Sequence, residues 1–327
     1  MAPVVQLHFH GRRTGVTRHV EDLARGLPAE VAGWGLSPSL STLGFGGLWR
    51  RVRQGPVLLH AHRNLELLVA LLLRTIGFRV RVVFTRHSAG RPSWWTRWLA
   101  GRADARVVLT RTASREFGLP AEVIAHGVDV RAFAPPGNRC AAWSVLGFGG
   151  RRGVGTMGRI RPSKGQEDLA AAFSSLAPGN PQWRAVVSGR VAPADRGYAR
   201  KLEELGVIHL DEVEDVAAIY RGLTVFVQPS RRESFSLVLL EAMATGCCVV
   251  AAHQPHYPEF IDHGRTGFLY RAGDIAALRA LLASLFTDPE RAEAIGRAAA
   301  EEVRAHWTLE RELESLRALY ARMERMG

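Results

Sequence analysis

The feature that most constrains this chain is an alternation of short apolar runs with helical repeats that stops near residue 134 and restarts near residue 154. In the first half, residues 3–9 read as a buried strand. Gly15 to Leu27 reads as a helix, because Val16, Val20, Leu23 and Leu27 recur at helical spacing. Val57 to His60, Val80 to Thr85 and Val107 to Leu109 are further strands, separated by the helical stretches Leu65 to Leu73 and Trp94 to Ala100. Such alternation implies a parallel sheet covered on both faces.

Gly, Pro and Arg crowd residues 134–153, including Pro135-Pro136 and Gly147 to Gly150, which places an interdomain linker there. The pattern resumes with a strand at Val154 to Met157, a helix at Gln166 to Leu176 and a strand at Ala185 to Ser188. Strands at Val225 to Gln228 and Cys248 to Ala251 then bracket a helix at Phe235 to Ala244. The expectation is an α/β chain of two doubly wound domains, residues 1–145 and 146–307. Residues 308–327 add a charged amphipathic helix, Leu309 to Met323. Gly147, Gly149, Gly153 and Gly155 do not form a dinucleotide fingerprint, because they precede a strand instead of following one.

Several classes drop out on composition. Val4 to Phe9 is too short for a signal peptide, and the apolar stretch within Leu65 to Leu73 ends at Arg74, short of the ~20 residues that span a membrane. Cys140, Cys247 and Cys248 give neither a disulfide framework nor spaced metal ligands, which fits a reducing cytoplasm, and the adjacent pair reads as core. The net charge is +12, and residues 1–150 hold 20 Arg against 8 acids while residues 151–327 hold 23 basic and 23 acidic residues. The whole excess therefore sits in the first half, and a bias of Arg over Lys cannot create it. It forms no repeated or aromatic-interleaved RNA module, which argues against a nucleic-acid-binding protein.

Two constellations carry chemistry. After the strand ending at Met157 comes Gly158-Arg159-Ile160-Arg161-Pro162-Ser163-Lys164-Gly165, which puts cations at the carboxyl end of a strand, where open α/β sheets bind ligands. Only Lys164 and Lys201 are lysines. After the strand ending at Gln228 comes Pro229 to Leu237, whose helix N-terminus offers free N–H groups to an anion such as a diphosphate. Glu233 and Glu241 lie eight residues apart, at most ~12 Å along a helix. They suit hydroxyls on either side of that diphosphate; the bland alternative has Glu233 capping the helix and Glu241 on its wet face.

Taken together, Gly158-Arg159, Lys164-Gly165, and Glu233 with Glu241 inside E-S-F-S-L-V-L-L-E-A-M-A-T-G resemble the donor site of the retaining GT-B glycosyltransferases of family 4. The Gly11 to Gly15 loop, His126-Gly127-Val128-Asp129, Pro258-Glu259, Gly264 to Gly267 and Trp307 fall in that family's order. L-L-H-A-H-R-N-L-E-L-L, T-R-H-V and G-R-I-R-P-S-K-G are most similar to bacterial lipopolysaccharide core mannosyltransferases. The resemblance implies two domains facing across a cleft, the last helix crossing back to the first, acceptor binding by residues 1–145, and a nucleotide-sugar donor held by residues 146–307. It implies that Arg159 and Lys164 hold the diphosphate with Gly158, Ser234, Phe235, Ser236 and Leu237 around it. Glu241 would take the ribose, Glu233 the transferred sugar, and Gly189-Arg190 would lie beside the base. The family usually has Gly where this chain has Ser236.

The resemblance places His87 with Arg159, Lys164 and Glu233 as a catalytic residue near the reacting sugar, and Gly11 and Gly15, with His60 and His62 at a strand end, on the acceptor side. No spacing among the 12 histidines makes a metal site and no Asp-x-Asp pair is present, so neither a metal nor another cofactor is expected. The implied reaction moves mannose from GDP-mannose to a glycolipid or oligosaccharide acceptor of the lipopolysaccharide-core type. A UDP-sugar donor with another acceptor, and a sugar-nucleotide epimerase of the same fold, stay open. Trp49-Arg50-Arg51-x-Arg53 and Trp94-Trp95-x-Arg97-Trp98 add an expected contact between residues 1–150 and the anionic inner face of the cytoplasmic membrane.

Overall fold

The computed structural model describes residues 3–11 and 14–325. The chain forms two compact units, Met1–Gly127 with Leu309–Gly327, and Val128–Thr308.

The first unit runs β1 (Val4–Phe9), α1 (Gly15–Gly26), β2 (Ala29–Trp34), β3 (Thr42–Leu43), α2 (Phe45–Arg53), β4 (Val57–Ala61), α3 (Asn64–Thr75) and β5 (Val80–Arg86). It continues with α4 (Trp94–Ala100), β6 (Ala105–Val108), α5 (Arg111–Phe117) and β7 (Glu122–Val123). The strands are parallel in the order β3-β2-β1-β4-β5-β6-β7. Alternate residues of each strand face opposite layers. Val5, Leu7, Leu59, Val82 and Phe84 pack under Val52, Leu67, Leu71 and Leu99. On the other face Val4, Leu58, Val83 and Val107 meet Leu313, Leu316, Leu319, Tyr320 and Met323, the apolar stripe of the last helix (Leu309–Arg325). A Cβ at Gly26 would fall 2.4 Å from Leu313 Cδ1, so glycine lets that helix come close.

The second unit comprises α6 (Arg139–Val145), β8 (Arg152–Met157), α7 (Gln166–Leu176), β9 (Trp183–Ser188), α8 (Arg196–Glu204), β10 (Val207–Leu210), α9 (Val216–Gly222) and β11 (Leu223–Gln228). After these come α10 (Leu237–Ala244), β12 (Cys248–Ala252), β13 (Phe268–Tyr270), α11 (Ile275–Thr287) and α12 (Pro289–His306); the last helix is then α13. Its parallel order, β10-β9-β8-β11-β12-β13, repeats the topology of the first unit. Cys247 and Cys248 are fully buried, as their apolar surroundings led us to expect.

The division falls at Gly127/Val128, so residues 134–153, expected as a linker, lie inside the second unit. There α6 presents Trp143, 1 % exposed, whose indole donates to the Gly149 carbonyl at 2.9 Å. A Cβ at Gly153 would fall 2.1 Å from that ring, so this glycine is where β8 admits the tryptophan. Arg139 donates to the carbonyls of Arg221 (3.1 Å) and Thr245 (2.7 Å), tying α6 to the sheet.

Candidate functional site

In the second unit strand order reverses between β8 and β11, and such a reversal opens a crevice at the carboxyl ends of the two strands. Both constellations leave from those ends. The first loop, residues 158–165, touches the second at Gly165, where a Cβ would lie 2.3 Å from the Pro229 carbonyl oxygen. Gly158 (φ 130) and Gly189 (φ 151) hold backbone that side-chain-bearing residues rarely adopt. The Ile160 N–H donates to the Arg190 carbonyl at 3.1 Å, so Gly158-Arg159 and Gly189-Arg190 run side by side.

Lys164 Nζ and Glu233 Oε1 are joined in an ion pair across the two loops. Gln228 Nε2 donates to the same carboxylate oxygen at 3.0 Å and to Ser230 Oγ at 3.2 Å. Gln254 Nε2 donates to the Ser230 carbonyl at 3.0 Å. Glu233 is thus held by Lys164 and Gln228, the first of them a cation of the kind that meets phosphate. Arg231 is directed elsewhere, to Asp168 Oδ1 at 2.8 Å, whereas Arg159 is exposed.

Helix α10 begins at Leu237, two residues later than expected, with Ser236 as its N-cap. Ser236 has φ 81, the only positive φ of a non-glycine among the described residues. A left-handed residue with a Cβ costs roughly 1–2 kcal/mol, which accounts for glycine being usual at this position in the family the sequence resembles. Ser236 Oγ is buried without a hydrogen-bond partner among the described residues. Phe235 is buried against Phe260, while Ser234 and Leu237 are half-buried on either side. Glu241 is 4 % exposed and accepts from the Tyr220 hydroxyl at 3.3 Å, so it does not lie on a wet face. Glu233 precedes the helix and does not cap it; a separation measured along a helix does not apply to this pair.

The first unit has its own reversal, between β1 and β4, and histidines gather there. His60 is fully buried, with Nδ1 2.6 Å from the Tyr320 hydroxyl and Nε2 2.7 Å from Thr85 Oγ1. One ring nitrogen thus engages α13 and the other the neighbouring strand β5. His62, 2 % exposed, places Nδ1 3.0 Å from His87 Nε2 and Nε2 2.8 Å from Gln6 Oε1. His87 is half-buried, and its Nδ1 is 3.1 Å from His126 Nε2; His126 Nδ1 is 3.0 Å from Glu312 Oε1. Burial pushes His60 and His126 down to about 3 and His19, His62 and His87 well below the usual histidine range, so the imidazoles are neutral. Burial pushes Glu312 up to about 8, opposed by the Gly127 N–H that donates to Oε2 at 2.8 Å.

Gly11 and Gly15 are exposed, with nothing within 4 Å of a Cβ at either; Arg12 and Arg13 between them lie outside the described residues. Glu66 accepts from the Phe9 N–H (2.9 Å) and the His62 N–H (2.7 Å), clamping together the two loops at this reversal. Sequence reasoning passed it over, although a carboxylate inside an apolar stretch was a signal. It also passed over Gln228, Gln254 and Tyr220, for which no local pattern exists. The expectation of no metal site rested on linear spacing. In the fold, ring nitrogens of His19, His62 and His87 lie within 4.8 Å of one another, and ligand atoms of His19, His126 and Glu312 do likewise. These residues are drawn from separate elements, which spacing cannot reveal.

On the surface, Trp94 is 76 % exposed, and Trp95 and Trp98 stack at 5.2 Å with Arg102 3.6 Å above Trp98. Trp49 is also exposed; Arg51 of the same helix is paired with Glu30. Among the described residues no helix is long and apolar enough to cross a membrane.

The sequence profile described as Glycosyl transferases group 1 matches residues 145–302. The lipopolysaccharide core biosynthesis mannosyltransferase LpcC of Rhizobium leguminosarum bv. viciae is 35% identical over 97% of this chain and 95% of its own length. LpsB of Rhizobium meliloti, described by the same activity, is 31% identical over 98% of each. The structure of Anabaena HepE in complex with UDP-glucose superposes with a TM-score of 0.82 at 19% identity, covering 98% of this chain and 100% of that one, and so shares the fold.

Proposed function

This chain belongs to the group 1 glycosyl transferases, and from that premise we propose that it moves mannose from GDP-mannose to a glycolipid acceptor of the lipopolysaccharide-core type, with retention at the anomeric carbon. The observation that carries the reading is the Lys164–Glu233 pair at the β8/β11 reversal, beside the N-terminus of α10. The mannosyltransferase relatives support the sugar, and the UDP-glucose complex of a protein with this fold supports a nucleotide-sugar donor.

In this reading the donor diphosphate displaces Glu233 from Lys164 and is neutralised by Lys164, Arg159 and the N–H groups at Ser236 and Leu237. Glu233, still oriented by Gln228, takes a hydroxyl of the sugar. Glu241 holds the ribose, and Gly189-Arg190 flanks the base. The acceptor hydroxyl attacks the anomeric carbon on the face from which the diphosphate departs. Its oxygen forms the new bond, the bond to the diphosphate oxygen breaks, and the hydroxyl proton passes to that departing phosphate. Preorganised cations and N–H groups serve where a metal otherwise would. His87 stands near the reacting sugar, and the Gly11–Gly15 loop belongs to the acceptor side. The basic first half, with exposed Trp94 and Trp98, rests on the anionic inner face of the cytoplasmic membrane, where each Arg adds ~1 kcal/mol.

A panel of GDP-, UDP- and ADP-sugars read by thermal shift and by acceptor-dependent nucleotide release, with and without EDTA, tests this. GDP-mannose should stabilise and turn over, and its binding should survive EDTA. Preference for a UDP-sugar would overturn the donor assignment. A changed sugar nucleotide without acceptor would point to an epimerase.

A further inference from the structure

We propose that His19, His62 and His87 form a binding site for one divalent ion of the zinc class in the first unit. Neutral imidazoles suit zinc, copper, iron or nickel. A tetrahedral zinc ion with bonds of about 2.0–2.1 Å separates its ligand nitrogens by about 3.3–3.4 Å. His62 Nδ1 and His87 Nε2 already stand 3.0 Å apart, and one ring nitrogen of each of the three histidines lies within 4.8 Å of one nitrogen of the other two.

The second nitrogen of two of these rings is tied down in the way metal-binding imidazoles require. Gln6 donates through Nε2 to the Tyr320 hydroxyl at 3.0 Å, which fixes its amide and leaves Oε1 to accept from His62 Nε2–H. That leaves His62 Nδ1 as a lone pair. His87 Nδ1 meets His126 Nε2, and His126 Nδ1 meets Glu312, whose other oxygen is held by the Gly127 N–H. This is a carboxylate–histidine support for a ligating histidine, extended by one imidazole.

His19 and His62 are buried and His87 is half-buried, so three protein ligands leave a fourth position open to an oxygen ligand. The set of His19, His126 and Glu312 shares His19, but His126 and Glu312 are committed to each other and to Gly127, which makes them positioning residues for His87.

Untagged protein should be stripped with chelator, loaded with Zn²⁺ and passed through gel filtration, and separately titrated with Co²⁺. One equivalent of zinc should be retained, and Co²⁺ should give the intense visible bands of a tetrahedral site. His62→Ala and His87→Ala should lose the ion, whereas Glu312→Gln should weaken binding by about 10–100-fold. Should those variants fail to fold, wild-type crystals soaked in Zn²⁺ supply the test through an anomalous peak among the three histidines. Zinc-free protein after loading, a peak elsewhere, or folded variants that retain the ion would overturn the proposal.

Discussion

Lys164 and Glu233, 69 residues apart in sequence, pair across the two loops that leave neighbouring strands β8 and β11. The pair compensates two charges, and in the proposed reading it gives way to a donor that carries a diphosphate and a sugar. In the proposed reading Glu233 takes the sugar and Glu241, buried further along α10, takes the ribose, so their losses should differ. Glu233→Ala should mainly lower kcat, and Glu241→Gln should mainly raise KM for the donor. Steady-state constants showing the reverse partition would mean the roles are exchanged.

Ser236→Gly should relieve left-handed strain and stabilise the protein by about 1 kcal/mol, read as a higher urea midpoint. Ser236→Ala keeps the strain and removes only the hydroxyl. Weaker donor binding in both the glycine and the alanine variant would show that the buried hydroxyl serves the phosphate. Equal donor affinity in all three would show that it does not.

Arg50 and Arg97 are exposed near Trp49 and Trp94, whereas Arg51 is paired with Glu30 and contributes less. Wild type should sediment with anionic liposomes at low salt and be released at high salt. An Arg50→Glu, Arg97→Glu, Trp94→Ala variant should stay in the supernatant. Wild type that ignores anionic liposomes would remove the membrane contact from the account.

Acid should weaken the metal-free first unit through its buried histidines. Burial pushes His60 and His126 down to about 3 from the ordinary 6.5, so the native state binds fewer protons between those limits. The stability they contribute is present above pH 6.5 and is lost as pH falls towards 3. Their neighbours His19, His62 and His87 act in the same sense. Glu312, raised to about 8 from 4.5, acts oppositely, and its share is lost as pH rises through 8. Glu66 is also raised, and Tyr320 is pushed above the tyrosine range. Urea midpoints should therefore fall as the pH drops from 6.5; a flat profile would contradict the buried, neutral cluster.

The cores of both sheets were legible because β1, β4, β5, β8, β11 and β12 are apolar runs, and α1, α3, α4 and α7 carry helical periodicity. The strands β2 and β10 were missed, since Gly33 and His209 break their apolar pattern and their pairing with β1 and β9 supplies what propensity lacks. Residues 134–153 looked like a linker because glycines that admit a tryptophan are indistinguishable in sequence from glycines that confer freedom. Lys164, Glu233 and Glu241 could be found because each follows a strand or lies on the adjoining helix. His19, His126 and Glu312 could not, because only the docking of α13 brings residue 312 to residue 126.

The most direct test of the central claim measures GDP released and glycan formed from GDP-mannose with a lipopolysaccharide-core acceptor, for wild type, Lys164→Ala and Arg159→Ala. Both side chains oppose charge that grows as the diphosphate leaves, so each variant should stay folded and lose on the order of 10²–10³ in kcat. Wild type should form mannosylated acceptor in step with GDP. Near-normal turnover in both variants, or GDP release with no sugar on the acceptor, would contradict the assignment of the β8/β11 loops as the donor site of a mannosyl transfer.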